Sequence, residues 1–316
     1  MVYFKRALAL AALAAAMVAL LLVVSWIVMP KDNTTEAGME HAAANGILGE
    51  PANTIDLCVI GDSEAYRSVS PLLLWKQTGG TSYVCATSAQ KLTYSKIMLE
   101  RAFEKQKPKV VLLETLAIYR TITPGDVFLN ELSSYFPVFR YHNRWKTLRA
   151  QDFTGPAQAT ATDQYKGHHP TLNVDPCQPG QYMVPTEKAA PIPRLNRMYV
   201  QWLKNLCDQH GARLMLMSMP SPVNWNYSKH NGIKDLANQL GCDYVDLNLK
   251  TEELGIDWNQ DTYDQGDHLN HYGAIKVTNY LAKLFGDMGV LTDHRGQAGY
   301  EGWDEALAAY AKDFLR

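Results

Sequence analysis

The sequence has few cysteines and no excess of basic residues, and both shortages exclude classes of protein. Five cysteines in 316 residues are too few for a disulfide-built scaffold. No two of them have CxxC spacing, so a structural zinc site is not expected. With 30 basic and 32 acidic residues the formal net charge is −2. That balance leaves no positive surplus to neutralise phosphates, and we expect no nucleic-acid partner.

Motifs for nucleotide cofactors and for catalytic zinc are also missing. The chain has no GxGxxG, no phosphate-binding GxxxxGK[ST] and no HExxH. We therefore expect no cofactor and no metal. Apolar residues make up 47% of the chain and charged residues 20%. These fractions are typical of a folded protein and exclude a mainly disordered chain or a polytopic membrane protein.

One long apolar run lies near the N-terminus. Residues 7–29 carry no charge, and a helix of that length spans ~34 Å, more than the ~30 Å hydrocarbon core of a bilayer. Lys5 and Arg6 precede the run, so the positive-inside rule puts the N-terminus in the cytoplasm and the rest outside. A cleaved signal peptide is the alternative, although its apolar core is normally shorter. We expect a single-pass cell-membrane protein with an anchor over residues 1–29.

Behind this anchor, short apolar runs alternate with helical patterns. A polar stretch over 30–50 indicates a flexible stalk. The alternation then predicts an α/β domain over 51–290, with a mainly parallel sheet covered by helices on both faces. We expect a C-terminal helical tail over 291–316. The predicted strands are 55–60, 82–86, 109–114, 213–217 and 242–246, and the predicted helices are 70–77, 89–106, 190–210, 233–240 and 273–285.

Residues 121–190 interrupt this alternation. They are rich in aromatic residues, Pro, His and Gln, and show little periodicity. An insertion of this size is either a lid or binding surface, or a loop that packs on the body of the domain. Both interpretations remain open from the sequence.

Polar residues follow three of the predicted strands at the point where each ends. The sequence Gly-Asp-Ser-Glu follows the first strand at 61–64, Glu114 ends the third, and 264–273 lies before the last helix. Ligands of open parallel sheets bind outside the carboxyl ends of the strands, so these groups are expected to meet. A serine nucleophile needs a base, and that base needs an orienting group. We therefore predict Ser63 as nucleophile and His268 as base.

Two aspartates compete for the role of orienting His268. Asp264 lies four residues before the histidine and Asp267 lies directly before it. Side chains of adjacent residues usually diverge, whereas a turn with one extra residue lets Asp264 reach the imidazole. We favour Asp264 and keep Asp267 as the alternative.

These motifs resemble those of a known family. GDS at 61–63 and HLNxxG at 268–273 look like the SGNH, or GDSL-type, hydrolase superfamily. The GDSE form, the Tyr-Asp at 263–264 and the single anchor are similar to the membrane-anchored, extracytoplasmic branch that accompanies membrane-bound O-acyltransferases. That branch includes the teichoic-acid D-alanylation and alginate O-acetylation proteins. The resemblance implies a three-layer flavodoxin-like fold and ester chemistry through a Ser–His–Asp triad. It also implies two partners, namely a cell-surface polysaccharide or teichoic-acid-like polymer and a multi-span O-acyltransferase.

The chain departs from the family's pattern where oxyanion donors are expected. The family commonly uses a Gly after the second strand and an Asn after the third, whereas this chain has Ser88 with its neighbours and Glu114. The backbone N–H of Ser63 remains a candidate donor, and so does the backbone near Ser88. We expect Asp62 to brace the turn that carries the serine. Trp225, on a Pro-rich loop after the fourth strand, either stacks on a sugar ring or simply packs.

Two functions are compatible with this sequence. The first is an anchored extracytoplasmic serine esterase or O-acyltransferase that acts on acyl esters of a cell-surface glycopolymer. The second is a non-catalytic polymer-binding or adaptor module beside a membrane acyltransferase. The altered oxyanion positions favour the second function, and the presence of both Ser63 and His268 favours the first.

Overall fold

The computed structural model describes residues 2–315, which form two compact units. The first comprises the N-terminal residues to Glu40 together with Thr123–Thr160, and the second comprises His41–Ile122 together with the residues from Ala161 onward. The segment 121–190, expected as one insertion, is therefore divided between the two units.

The regular elements of the described chain are α-helices, short 3-10 helices and parallel strands. The strands are β1 (Leu57–Gly61), β2 (Ser82–Ala86), β3 (Val110–Glu114), β4 (Arg213–Ser218) and β5 (Asp243–Asp246). The α-helices are α1 (Val2–Val28), α2 (Ala42–Asn45), α3 (Ser63–Ser68), α4 (Pro71–Thr78), α5 (Leu92–Lys105), α6 (Leu116–Tyr119), α7 (Pro124–Tyr135), α8 (Val138–Tyr141), α9 (Arg194–Gln209), α10 (Tyr227–Leu240), α11 (Thr251–Leu254), α12 (His271–Asp287) and α13 (Glu301–Phe314). The 3-10 helices are Gly46–Gly49, His142–Lys146, Ala150–Phe153 and Leu247–Lys250.

The five strands form one parallel sheet in the order β2-β1-β3-β4-β5. This is the doubly wound order of flavodoxin-like folds, in which a crevice opens where the order reverses, between β1 and β3. Every residue of β1, β2 and β3 is buried, as expected for central parallel strands covered on both sides. The predicted α/β fold class is confirmed.

Helices cover both faces of the sheet, and apolar side chains fill the space between the layers. On one face Leu57 and Val59 of β1 share a buried cluster with Val277, Leu281 and Phe285 of α12. Successive strand residues point to opposite faces, and on the other face α5 and α9 contact β1 and β4. Each fully buried Leu, Val or Phe stabilises the fold by roughly 1.5–3 kcal/mol. This packing fixes the strand ends on which the site is built.

Two segments that the sequence analysis placed outside the α/β domain pack onto it. Within the predicted stalk, α2 and the following 3-10 helix are ordered, because Ile47 is fully buried and the Tyr83 hydroxyl donates to the Ala43 carbonyl at 2.8 Å. In the predicted C-terminal tail, α13 packs with Trp303 against Trp75 of α4, at 5.6 Å between ring centroids. Both segments therefore contribute to the core of the second unit.

Helix α1 is the one described helix long and apolar enough to cross a bilayer. It has 27 residues, and its most apolar 18-residue window has a mean hydropathy of 2.9 with no residue buried. By length and composition a signal sequence near an N-terminus has the same features. The helix begins before the predicted run and ends at Val28, within the predicted anchor.

Candidate active site

The turn between β1 and α3 presents Ser63 at the first residue of a helix. Gly61 is required here, because a Cβ on it would lie 2.5 Å from the Cβ of Glu114. Asp62 is the N-cap of α3, and its side chain accepts a hydrogen bond from the Glu64 N–H at 3.0 Å. The first N–H groups of a helix have no partner inside the helix. The Ser63 N–H is therefore available to an oxygen outside the helix.

Ser63, His268 and Asp264 form a continuous chain of hydrogen bonds. Ser63 Oγ lies 2.7 Å from His268 Nε2, although the two residues are 205 positions apart. His268 Nδ1 lies 2.7 Å from Asp264 Oδ2, and the other Asp264 oxygen accepts the His268 backbone N–H at 2.7 Å. Asp267 is 3.7 Å from the same Nδ1. Of the two competing carboxylates, the structure brings Asp264 into hydrogen-bond contact with the imidazole.

A tight turn places Asp264 below the imidazole ring. Gln265 and Gly266 both adopt left-handed φ angles, 59° and 90°, a conformation that costs little for glycine. A Cβ on Gly266 would lie 2.7 Å from the Cys177 sulfur and 2.8 Å from Pro222. Thr262 fixes the turn, since its Oγ1 accepts the Gly266 N–H at 2.8 Å and donates to the His268 carbonyl at 2.9 Å.

Two further contacts fix the base and the start of the last sheet-covering helix. The ring of Tyr263 stacks on His268 with centroids 5.8 Å apart, and the guanidinium of Arg67 lies 4.6 Å from the Tyr263 ring centroid. Asn270 caps α12, since its side chain accepts the N–H groups of Tyr272 and Gly273 at 3.0 and 3.2 Å. The imidazole is thereby held between a stacked ring and a rigid helix start.

Asn224 connects the loop after β4 to the triad. Its Nδ2 donates to Glu64 Oε1 at 3.0 Å and also to Asp267 Oδ1. Ser221 supports the same group, because its hydroxyl donates to the Asp267 carbonyl at 2.7 Å. Asp267 therefore faces Asn224 in addition to the imidazole. Sequence reasoning did not identify Asn224, although its position on the loop after the fourth strand marked it as a rim residue.

The carboxyls around the serine turn are buried, and their pKa values respond to that burial. Burial raises the pKa of Glu64 well above its usual range, and Asp62 and Glu114 raise it further. Burial, followed by the charge of Asp62, likewise raises the pKa of Glu114. Arg120 neutralises Asp62 through two bonds to its Oδ2, at 2.8 Å from Nε and 2.6 Å from Nη2. Glu64 and Glu114 are thus favoured as neutral carboxyls around an Asp62–Arg120 ion pair.

Glu114 and Asp62 brace the turn from beneath. The side chain of Glu114 accepts N–H groups of Leu116 and Ala117, at the start of α6. Both acids are almost fully buried, at 1% and 0% exposure. The structure therefore does not place the Glu114 side chain where an incoming substrate would meet it. Arg120, which pairs with Asp62, was not anticipated from the sequence.

The turn after β2 contains Ser88, which the sequence suggested as lying near the oxyanion. Ser88 is exposed, and Ala89 has a φ of +50°. Only a few per cent of residues other than glycine adopt positive φ, so this turn has a glycine-like backbone conformation at an alanine. The N–H groups of this turn and of Ser63 are the candidate oxyanion donors.

Trp225 differs from the sugar-stacking hypothesis. The ring is 4% exposed, its Nε1 donates to Asp246 Oδ2 at 2.9 Å, and it packs edge-on to Tyr119 with centroids 6.0 Å apart. An indole N–H that is buried needs an acceptor, and Asp246 at the end of β5 provides it. Trp225 therefore packs inside the protein, as the second alternative had it, and the hypothesis that it stacks on a sugar ring is wrong.

Three side chains near the serine have metal-ligating atoms close together. One such atom from each of Glu64, Asp267 and His268 lies within 4.8 Å of the others. Both imidazole nitrogens, however, already bond to Ser63 and Asp264. A cation held by His268 would have to break one of these two hydrogen bonds. The arrangement therefore fits proton transfer between oxygen and nitrogen better than metal ligation.

Comparison with known proteins finds similarity to solved structures. No protein-family model and no curated protein matches the sequence. Among solved structures, a candidate acylhydrolase from Bacteroides fragilis is 11% identical with a TM-score of 0.37, covering 78% of this chain and 95% of its own. An acetyl xylan esterase is 13% identical with a TM-score of 0.34, covering 72% of this chain and 98% of its own.

Proposed function

We propose that this chain is a membrane-anchored, extracytoplasmic serine esterase or O-acyltransferase that uses Ser63, His268 and Asp264. The observation that supports the proposal is the unbroken chain of hydrogen bonds from Asp264 Oδ2 through both imidazole nitrogens to Ser63 Oγ, 2.7 Å at each step. A nucleophile within hydrogen-bond reach of a base that a third group orients is the arrangement used for acyl transfer.

The first half of the reaction acylates Ser63. Its Oγ attacks the carbonyl carbon of an ester while His268 Nε2 takes the hydroxyl proton, and Asp264 stabilises the imidazolium that forms. The N–H of Ser63 and the turn at Ser88 and Ala89 are the proposed donors to the tetrahedral oxyanion. When the intermediate collapses, the ester C–O bond breaks. His268 then returns the proton to the leaving oxygen.

The second half of the reaction removes the acyl group from the serine. Water or a sugar hydroxyl gives its proton to His268 Nε2 and attacks the acyl carbon. Collapse of this second intermediate breaks the bond to Ser63 Oγ, which recovers its proton from the imidazolium. Water as acceptor makes the protein an esterase, and a sugar hydroxyl makes it an acyltransferase.

The membrane location and the substrate class are part of the same proposal. The length and apolarity of α1, with Lys5 and Arg6 before its most apolar part, support an anchor with the second unit outside the cytoplasm. A cell-surface glycopolymer as substrate, and a multi-span O-acyltransferase as partner, come from the family resemblance. The competing adaptor function predicts polymer binding without turnover.

Kinetics of triad variants test the proposal. The full-length protein in detergent is expected to hydrolyse a short-chain acetyl ester, and Ser63→Ala and His268→Ala are each expected to remove turnover. Because triad residues act as a unit, the double variant is expected to be little worse than either single one. Ser134→Ala, an exposed serine of the first unit, is the control and should keep the wild-type rate. Polymer binding by all variants without turnover by the wild type would support the adaptor instead.

A further inference from the structure

The first unit contains a group of short helices around the end of α1. We call residues 123–160 the collar; it comprises α7, α8 and two 3-10 helices. In the chain as described, this segment groups with residues up to Glu40 and not with the sheet domain. Its role is therefore to be sought in its relation to α1.

The collar is attached to the last turns of α1 by polar contacts. The Val138 N–H donates to Ser25 Oγ at 3.2 Å, and Arg144 donates to the Val28 carbonyl at 2.7 Å. The last carbonyls of a helix lack partners inside it, and a cation is favoured there. Asp152 in turn holds the Arg144 guanidinium at 2.8 Å. Ser25 and Val28 are buried although the rest of α1 is exposed or partly exposed.

The length of α1 sets the depth at which the collar lies if the helix spans a bilayer. Its 27 residues extend about 40 Å, against ~30 Å for the hydrocarbon core and ~40–45 Å for the bilayer with its headgroups. With Lys5 and Arg6 at the inner boundary, about 20 residues cross the core. The outer boundary then falls near Trp26, beside the turn that the collar holds. Lys31 marks the same level, since its ammonium lies 3.9 Å from the Trp26 ring centroid.

The exposed surface of the collar is unusually apolar and aromatic. None of the twelve residues of α7 is buried in the structure, although the helix carries Phe128 and Leu129. Trp and Tyr are the residues enriched at membrane–water interfaces, and the collar exposes both. The large apolar side chains exposed on the collar are Phe128 at 64%, Leu129 at 56%, Tyr135 at 71%, Phe139 at 42%, Trp145 at 66% and Phe153 at 51%.

We propose that the collar is a lipid-binding surface that lies in the headgroup and upper acyl region of the outer leaflet. The proposal rests on the anchor assigned to α1 above. It commits to lipid because hydrogen bonds at Ser25 and Val28 hold the collar at the end of α1, the one described helix that is long and apolar enough to cross a bilayer. Amphipathic segments with Phe, Leu and Trp on one side bind at this depth. The collar thus makes the end of the anchor a broad contact with the membrane.

Photo-crosslinking of the full-length protein tests this surface. The chain is reconstituted in vesicles of phosphatidylethanolamine and phosphatidylglycerol, with p-benzoylphenylalanine replacing Leu129 or Trp145. Met198, in α9 of the second unit, is the matched control, because it is exposed by 56%, the same fraction as Leu129. Leu13, in the middle of α1, reports on the anchor itself. Irradiation is followed by mass spectrometry of the adducts.

We expect lipid adducts at Leu13, Leu129 and Trp145, in yields several-fold above that at Met198. Adducts at Leu13 but none above the Met198 level at the two collar positions would overturn the proposal that the collar binds lipid. The assignment of α1 as an anchor would stand. Absence of adducts at Leu13 as well would overturn the assignment of α1 as a membrane anchor. The lipid-binding role of the collar, which depends on that anchor, would be overturned with it.

A protein occupant has a distinct signature in the same experiment. Crosslinks from Leu129 or Trp145 to a second copy in vesicles, or to another protein in place of lipid in native membranes, would also overturn the proposal. Each collar position is exposed, so substitution is expected to preserve folding. Unchanged ester hydrolysis by each variant serves as the check, and two independent positions guard against a local defect.

Discussion

Individual contacts at the serine turn decide which carboxylate serves the base. Asp264 accepts from both the Nδ1 side and the backbone N–H of His268, whereas Asp267 is drawn toward Asn224. The sequence already favoured Asp264 on the ground that neighbouring side chains diverge. The sequence did not reveal that Asp267 pairs with Asn224, since the two residues are 43 positions apart. Long-range polar pairs of this kind depend on the packed loops and not on local spacing.

Substitution of each aspartate in turn separates the roles of Asp264 and Asp267. Asp264→Asn is expected to lower ester hydrolysis by roughly 10²–10⁴-fold, because the amide no longer stabilises the imidazolium and favours the wrong tautomer. Asp267→Asn keeps an acceptor for the Asn224 amide and is expected to retain most of the rate. Steady-state kinetics with both variants, at matched thermal stability, measure the difference. The assignment is wrong if the Asp267 variant is the crippled one.

A second prediction concerns the buried carboxyl of Glu114. Its pKa is raised by burial and by Asp62, so the folded state keeps a proton that the unfolded chain releases above its ordinary pKa. The unfolded state then binds fewer protons, and the free energy of unfolding falls as pH rises. Glu114→Gln removes this contribution to the pH dependence of the free energy of unfolding and preserves the acceptor for the Leu116 N–H.

Denaturation at pH 5 and pH 8 tests that sign. Wild type is expected to lose more stability than Glu114→Gln between the two pH values. Glu104→Gln, at an exposed position, is the control and should follow the wild type. A Glu114→Gln protein that loses as much stability as the wild type on going to pH 8 would contradict the raised pKa.

At the scale of elements, the alternation of strands and helices could be predicted because the strands are short, apolar in their middle and bounded by polar residues. β2 has the predicted bounds, and the ends of β1, β3, β4 and β5 differ from the predicted ones by one or two residues. Helix α10 begins at Tyr227, six residues before its predicted start, because Asn226 caps it by accepting the Lys229 N–H at 3.0 Å.

Short elements that owe their form to tertiary contacts were not predictable. Helix α3 has six residues, too few to show a helical period, and Asp62 starts it by capping. Trp225 lies on the loop after β4, and its buried position depends on Asp246 at the end of β5. The glycine-like conformation at Ala89 contradicts its intrinsic preference, so no propensity would have revealed it.

The packing of α13 over two buried histidines gives a prediction at the scale of elements. His168 and His271 lie near Tyr310 of α13, with ring centroids 6.2 and 5.8 Å from it. Burial lowers the pKa of His168 to about 3, and the Tyr66 carbonyl accepts its Nδ1–H at 2.8 Å. Burial also lowers the pKa of His271. Below the ordinary histidine pKa of 6.5, these histidines take up protons in the unfolded chain but not in the folded state. The free energy of unfolding therefore decreases as the pH is lowered.

His168→Asn tests this acid sensitivity, because Asn keeps an N–H donor toward the Tyr66 carbonyl and does not titrate. Between pH 6.5 and 5 the wild type is expected to lose about 1.6 kcal/mol more than the variant, because the loss approaches 1.36 kcal/mol per pH unit below the unfolded pKa of 6.5. Chemical denaturation of the full-length protein in detergent measures both. The exposed His142→Asn should behave as wild type. Equal losses in wild type and His168→Asn would refute the account of this histidine.

At the scale of the whole molecule, the sheet brings distant segments of the chain to one edge. The turn after β1 leads to Ser63 at the start of α3, the loop after β4 carries Asn224, and the turn before α12 carries Asp264 and His268. The sequence predicted this convergence from the rule that parallel strands end at the same side. It did not predict the collar, because residues 123–160 have little periodicity and their packing partner is the end of α1. We propose separate tasks for these two groups of residues, ester chemistry for the first and attachment to the membrane for the second.

We propose that Ser63 is an activated nucleophile, and labelling with a fluorophosphonate tests this role. The reagent resembles the acyl substrate and reacts with a serine whose proton a neighbouring histidine accepts. We predict that peptide mapping of the labelled full-length protein finds the modification at Ser63, and that Ser63→Ala and His268→Ala each abolish it without loss of thermal stability. A folded wild-type protein that binds polymer but remains unlabelled after prolonged exposure would contradict the claim.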